Sequence, residues 1–210
     1  MEISCKNLGK RYNREWIFKE INKDFVLGDH CAVLGGNGSG KSTFLKTISA
    51  FLTPTKGQIS YTNKGLIISP DVVYKQLSYC APYIDVFEQY TIKELFQFYT
   101  PLKPLKKGID YNQFCEVIDL GNTKNKKLKD FSSGMRQRVK LALAILSDTT
   151  ILLMDEPTSN LDVKGIQWYQ NLIDNNKENR IILVASNKKD EESFFCNQEL
   201  AITDYKKTHK

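Results

Sequence analysis

A chain of 210 residues, 41% hydrophobic and 26% charged, can bury a sizeable core and has the balance of a globular protein rather than a disordered one. No run reaches the roughly 18 consecutive apolar residues of a membrane span, and MEISCKNLGKRY lacks the apolar core of a secretory signal. The five cysteines (Cys5, Cys31, Cys80, Cys115, Cys196) are odd in number and form no CxxC pair, which points to free thiols in a reducing compartment and away from a disulfide framework or zinc site. The net charge of +6 is modest, with lysines clustered in KNKKLK (124–129) and the tail YKKTHK (205–210). Such clusters suit an anionic membrane or nucleic acid, but no aromatics interleave as stacking platforms, which favours a solvated face.

In chain order, EISCKNL, WIFKEI and KDFVL read as short strands ending at the turn Gly28-Asp29. CAVL (31–34) is an apolar run that stops at a glycine-rich loop, and STFLKTISAFL after it has helical spacing. GQISY, GLIIS and QLSYC are further strand candidates up to residue 80. From Thr91 the pattern turns helical, with TIKELFQFY, a break at Pro101 and Pro104, then YNQFCEVIDLG and VKLALAIL. Apolar ILLM (151–154), a helix around IQWYQNLIDNN and apolar IILVAS (181–186) follow. Apolar strands alternating with helices predict an α/β fold, a largely parallel sheet covered on both faces. Residues about 85–145 read as a helical insertion, and no internal repeat or low-complexity linker divides the chain.

Three stretches carry chemistry. GGNGSGKST (35–43) fits G-x-x-x-x-G-K-[ST] and has the required context, after an apolar strand and opening a helix. In such a loop Gly35, Gly36, Asn37, Gly38, Ser39 and Gly40 turn backbone N–H groups toward phosphate oxygens, with Thr43 on the helix that follows. Lys41 reaches the β- and γ-phosphates and the Ser42 hydroxyl ligates Mg²⁺. In ILLMDE (151–156), Asp155 at the strand end would hold Mg²⁺ beside that loop, and Glu156 would orient and polarise an attacking water. The third, FSSGMRQR (131–138), reads as a helix N-terminus capped by Ser132, or as a serine and glycine facing a phosphate.

The P-loop, FSSGMRQR, ILLMDEP and the following SNLD, in this order, resemble the ATP-binding subunits of ABC transporters, from LGKRY to IILVAS. The resemblance implies a P-loop NTPase (RecA-like) core with an N-terminal antiparallel β subdomain and an inserted α-helical subdomain. Core and β part would be 1–84 and 146–210, with about 85–145 the helical subdomain, all in one ATP-binding domain. It also implies ATP and Mg²⁺ as cofactors, and a head-to-tail dimer in which each ATP lies between one subunit's P-loop and the other's signature loop. Tyr12 falls where the family stacks an aromatic on adenine. Ser132 and Gly134 match the serine and second glycine of the signature, usually LSGGQ. Ser133 and Met135 depart from it, while Gln137 and Arg138 agree with the residues that usually follow. Asp162 matches the aspartate that communicates across the dimer.

Two positions depart further. Where the family carries a glutamine touching Mg²⁺ and the attacking water, the matching residue is Pro82, with no side-chain donor or acceptor. Asp85, Glu88 and Gln89 in the next loop are alternative sources of that contact. Where the family carries a histidine on the γ-phosphate stands Asn187, which can donate a hydrogen bond but carries neither proton nor charge near neutral pH. Catalysis would rest on Glu156, assisted by Asn187, with slow turnover.

The function implied is the ATPase subunit of a membrane transporter, peripheral on the inner, cytoplasmic face of the membrane. Its partners would be a separate membrane-spanning permease and a second ATP-binding subunit, identical or different, with no nucleic acid. The loop PYIDVFEQYT (82–91) would dock the permease, with Phe87 and Tyr90 either in contact or packed on the helical lobe. The length resembles small exporters, including haem-exporter subunits. A soluble ABC-type ATPase, which usually carries a coiled-coil insertion or two nucleotide domains, and a nucleotide-gated dimerisation module with very slow hydrolysis are the alternatives. NKKD (187–190) imitates a GTPase guanine reader, but no GTPase mechanism needs FSSGMRQR together with MDEPTSNLD.

Overall fold

A computed structural model describes residues 1–123, 125–187 and 189–206. Lys124, Lys188 and residues 207–210, which belong to the lysine clusters and NKKD motif above, lie outside the described residues. Strands β1 (Glu2–Tyr12) and β2 (Glu15–Val26) pair antiparallel, and β4 (Lys56–Asn63) and β5 (Leu66–Ile68) extend them into a sheet of order β2-β1-β4-β5. Strands β3 (His30–Leu34), β6 (Leu77–Cys80), β7 (Ile151–Asp155), β8 (Ile181–Ser186) and β9 (Gln198–Ala201) form a parallel sheet of order β6-β7-β8-β3-β9.

Helix α1 (Lys41–Ile48) follows the glycine loop. Between β6 and β7 run α2 (Ile92–Leu102), α3 (Tyr111–Ile118) and α4 (Ser133–Leu146), and α5 (Val163–Asp174) and the short α6 (Lys189–Glu192) flank β8. Capping boxes start α2 and α3: Thr91 and Glu94, then Asp110 and Gln113, each satisfy one another's backbone N–H.

Period-2 alternation along β7 divides the core between the sheet's two faces. Ile151 and Leu153 join Val33, Ile181, Leu183 and Phe44 under the antiparallel sheet and α1. Leu152 and Met154 join Ile182, Val184, Phe114, Val139 and Ala142 under the helical segment. All four β7 side chains are fully buried, each contributing roughly 1.5–3 kcal/mol, so the run is apolar without interruption.

Four details differ from the sequence reading. WIFKEI and KDFVL are one strand: between the pairs Leu8↔Ile21 and Lys10↔Phe18, β2 advances three residues against two on β1. Glu20 at φ 65° lies in this bulge. Pro101 does not end α2, which continues to Leu102 and stops at extended Lys103 before Pro104. The carbonyl it leaves unpaired belongs to exposed Gln97 and can meet water. A 3₁₀ segment (Pro70–Gln76), capped by Ser69, precedes β6, and QELA forms the parallel edge strand β9, too short and half polar to show a period.

Candidate nucleotide site

The parallel register brings four strand ends together. Leu34 lies opposite Ser186, Asp155 opposite Ala185, and Cys80 opposite Met154. The loop 35–40, Glu156, Asn187 and the stretch Ala81-Pro82-Tyr83 therefore emerge side by side at the carboxyl edge, where open α/β sheets hold their ligands.

Ile17, Asn37, Gly38, Ser39, Gly40, Lys41, Ser42, Thr43 and Glu156 line a cavity of about 240 Å³ there. The loop needs its glycines where the backbone is left-handed and crowded: Gly40 has φ 109°, and a Cβ there would lie 2.4 Å from Ile17 Cγ2. Lys41, 5% exposed, donates to Gly35 O at 2.7 Å, Gly36 O at 3.2 Å and Asn187 Oδ1 at 2.8 Å. All three partners are neutral, so they satisfy the ammonium's donors without cancelling its charge. Ser39 Oγ is buried with no partner among the described residues. A charged ammonium, an orphaned hydroxyl and the N-terminus of α1 at one loop suit a phosphate chain.

Asp155, 2% exposed, lies beside Ser42. Burial raises its carboxyl above the usual range, and hydrogen bonds from Ser42 and Tyr83 oppose that rise. A hydroxyl and a carboxylate in contact are the hard oxygen donors that fit Mg²⁺. No cluster of three or more His, Cys, Asp or Glu side chains that could hold a metal occurs among the described residues. A cation here would thus depend on phosphate oxygens and water for most of its shell, as Mg²⁺ commonly does. Glu156 has φ 46°, a strained value for a residue with a Cβ, and its N–H donates to Ala185 O at 2.9 Å. That bond to β8 fixes the turn directing Glu156 into the cavity wall.

The remaining positions divide. Asn187 joins the site, its Oδ1 on Lys41 and its Nδ2 on Asn37 Oδ1. Pro82 brings no donor, but Tyr83 does: its hydroxyl donates to Asp155 Oδ2 at 3.3 Å. Among the described residues no hydrogen bond joins Asp85, Glu88 or Gln89 to Asp155, and Asp85 pairs instead with Lys140 at 4.0 Å. Tyr83 was missed by the sequence reading; tyrosines four apart at a strand end, Tyr79 and Tyr83, were the available signal. Tyr12 is half exposed beside Lys10 at the end of β1 and does not line the cavity.

Ser132 and Gly134 lie elsewhere. Ser132 caps α4 by accepting from Met135 N–H at 3.2 Å, as its position before VKLALAIL predicts. Gly134 lets the loop after β7 approach: a Cβ would stand 2.8 Å from Asn160 O. Buried Gln137 fastens the same junction by donating to Pro157 O at 2.8 Å, and Asp162 caps α5 through Gly165 N–H at 2.7 Å. Ser132, Gly134 and Asp162 border a cavity of about 740 Å³, lined also by Asn160 and Trp168 among others, which shares no residue with the P-loop cavity.

Residues 18–159 match the family described as ABC transporter. The chain belongs to that family. It is 30% identical to a lantibiotic transport ATP-binding protein of Streptococcus pyogenes over 88% of this chain and 79% of that protein. It is 28% identical to a mouse ABC-type organic anion transporter over 96% of this chain, yet spans only 13% of that protein's length. An ABC transporter ATP-binding protein from Pyrococcus furiosus superposes with a TM-score of 0.82 at 25% identity, covering 99% of this chain and all of that one. The likeness is to the family's ATP-binding component; it does not single out haem exporters.

Proposed function

We propose that this chain binds ATP with Mg²⁺ at the P-loop cavity and hydrolyses it slowly to drive a transporter. In this reading Lys41 and the loop N–H groups hold the phosphates, and Ser42 and Asp155 hold the cation, which would supply charge neutralisation at the transferred phosphate. Glu156 orients the attacking water and takes up its proton, and Asn187 donates a neutral hydrogen bond where a histidine could add charge. The carrying observation is that Lys41, the Ser42–Asp155 pair and Glu156 converge on one carboxyl edge while Ser132 and Gly134 border a separate cavity. A signature apart from its own P-loop fits completion of each site by a second ATP-binding subunit, identical or different.

The chain would act on the cytoplasmic face of a membrane, beside a separate membrane-spanning permease. No helix among the described residues is long and apolar enough to cross a bilayer. The docking surface would be the loop 82–91, where half-exposed Phe87 packs edge-on against Phe98 of α2 at 5.0 Å between ring centroids. Beside it a small hollow of about 130 Å³ is lined by Ile84, Leu95 and Lys140 among others. Both sequence-level roles for Phe87, contact and packing, fit this placement. We also take residues about 85–145 as the helical subdomain of the one ATP-binding domain.

Steady-state phosphate release by wild type and Glu156→Gln tests the reading. A slow wild-type rate that falls roughly 10²-fold or more in the variant supports it. Equal rates would remove Glu156 as the base, and ATP binding without any phosphate release would favour a nucleotide-gated dimerisation module.

A further inference from the structure

The strand end left without a donor by Pro82 nevertheless makes contact with Asp155. One residue on, the chain turns so that Tyr83 Oη lies 3.3 Å from Asp155 Oδ2. A carboxylate only accepts, so Tyr83 uses its single hydroxyl hydrogen there. Its oxygen then accepts from Tyr79 Oη, 2.5 Å away. The result is a directed chain, Tyr79 to Tyr83 to Asp155, whose members polarise one another. The rings meet edge to face with centroids 6.4 Å apart, and Lys46 of α1 places its Nζ 3.8 Å from the centre of the Tyr83 ring. The phenol is thus gripped from β6 and from the helix that carries the P-loop.

Packing alone does not account for a tyrosine here. The residue is 46% exposed, and a phenylalanine would fill the same space and keep the contact with Lys46. What the hydroxyl adds is a donor to Oδ2 of a buried carboxylate that also accepts from Ser42. The acidic and amide side chains of the next loop do not provide it.

We propose that Tyr83 is the positioning residue for Asp155, its phenol taking the place beside the metal carboxylate that Pro82 leaves without a side-chain donor. This rests on reading the cavity as a site for ATP with Mg²⁺. Tyr83 would hold the Asp155 carboxylate in place for the cation, and Tyr79 and Lys46 fix Tyr83. The Tyr83 ring also lines an outer hollow of about 410 Å³ with Lys46, Phe51, Tyr74 and Ile84, so a partner seated in that hollow touches the residue that orients Asp155.

Metal affinity, rather than turnover, tests this. Mn²⁺ binding to the protein with a non-hydrolysable ATP analogue is followed by electron paramagnetic resonance, and analogue binding alone is measured in EDTA. Tyr83→Phe weakens Mn²⁺ binding about tenfold, the loss of one hydrogen bond to a charged group partly replaced by water. It leaves metal-free analogue affinity within about twofold, since the phenol touches no P-loop N–H. Adding Pro82→Gln to Tyr83→Phe restores most of the Mn²⁺ affinity through a strand-end amide. Unchanged Mn²⁺ affinity in Tyr83→Phe, or an equal loss of metal-free binding, would overturn the role of Tyr83 and leave the ATP reading standing. Wild type that binds the analogue neither with nor without Mn²⁺ would overturn the ATP reading itself.

Discussion

At β3 and β7 the site holds the residue types that phosphate and Mg²⁺ chemistry require. At the neighbouring ends of β6 and β8 it holds Pro82 and Asn187, where the family resemblance implies a glutamine and a histidine. The first pair of ends is constrained by geometry: Gly40 has no room for a Cβ beside Ile17, and Asp155 is buried against Ser42. The second pair is less constrained, and both substitutions are answered locally. Asn187 bridges Lys41 and Asn37, and Tyr83 reaches Asp155 in place of the residue before it. On the proposed reading, the half that holds phosphate and cation has little room for change, whereas the half that tunes the chemistry draws on different donors.

Substitutions on either side should therefore differ in kind. Asp155→Asn keeps the shape and removes the charge, and phosphate release should fall roughly 10²–10³-fold while nucleotide binding in EDTA persists. Binding lost together with turnover would mean that Asp155 holds the loop rather than a cation. Asn187→His acts on the tuning half and should raise turnover about tenfold by returning a titratable donor to the γ-phosphate position. A further decrease would show that the amide bridge to Lys41 and Asn37 contributes more than a charged donor can. Gly134→Ala acts on stability rather than on the P-loop cavity, because its Cβ meets Asn160 O at 2.8 Å. Thermal melting should report about 1–3 kcal/mol of destabilisation, with the gain in Tm from added ATP unchanged at low protein concentration.

Local patterns made most of the fold legible. The uninterrupted run ILLM announced a strand buried on both faces, and Ser132 before VKLALAIL announced a capped helix. β9 was not legible because an edge strand with one buried side chain, Leu200, has no apolar period to display. The join within β2 was hidden because a bulge shifts the alternation by one residue. At the carboxyl edge, the placement of Gly35 to Thr43, Asp155 and Glu156 could be read because fixed spacing after an apolar strand sets it. Tyr83 was not read, since the spacing of Tyr79 and Tyr83 does not display the turn after Pro82 that aims a side chain across two strands. Likewise only the fold shows that Gln137 and Gly134 fasten α4 to the loop after β7.

The separation of the two cavities within one chain is the central claim. It is tested most directly by calorimetric titration of ATP with Mg²⁺ into wild type, Lys41→Ala and Ser132→Ala at protein concentrations where the chain is monomeric. The account predicts that Lys41→Ala weakens binding roughly 10²-fold and that Ser132→Ala leaves the single-chain affinity within about twofold. Equal weakening by both substitutions would place the signature serine in its own subunit's site and contradict the account.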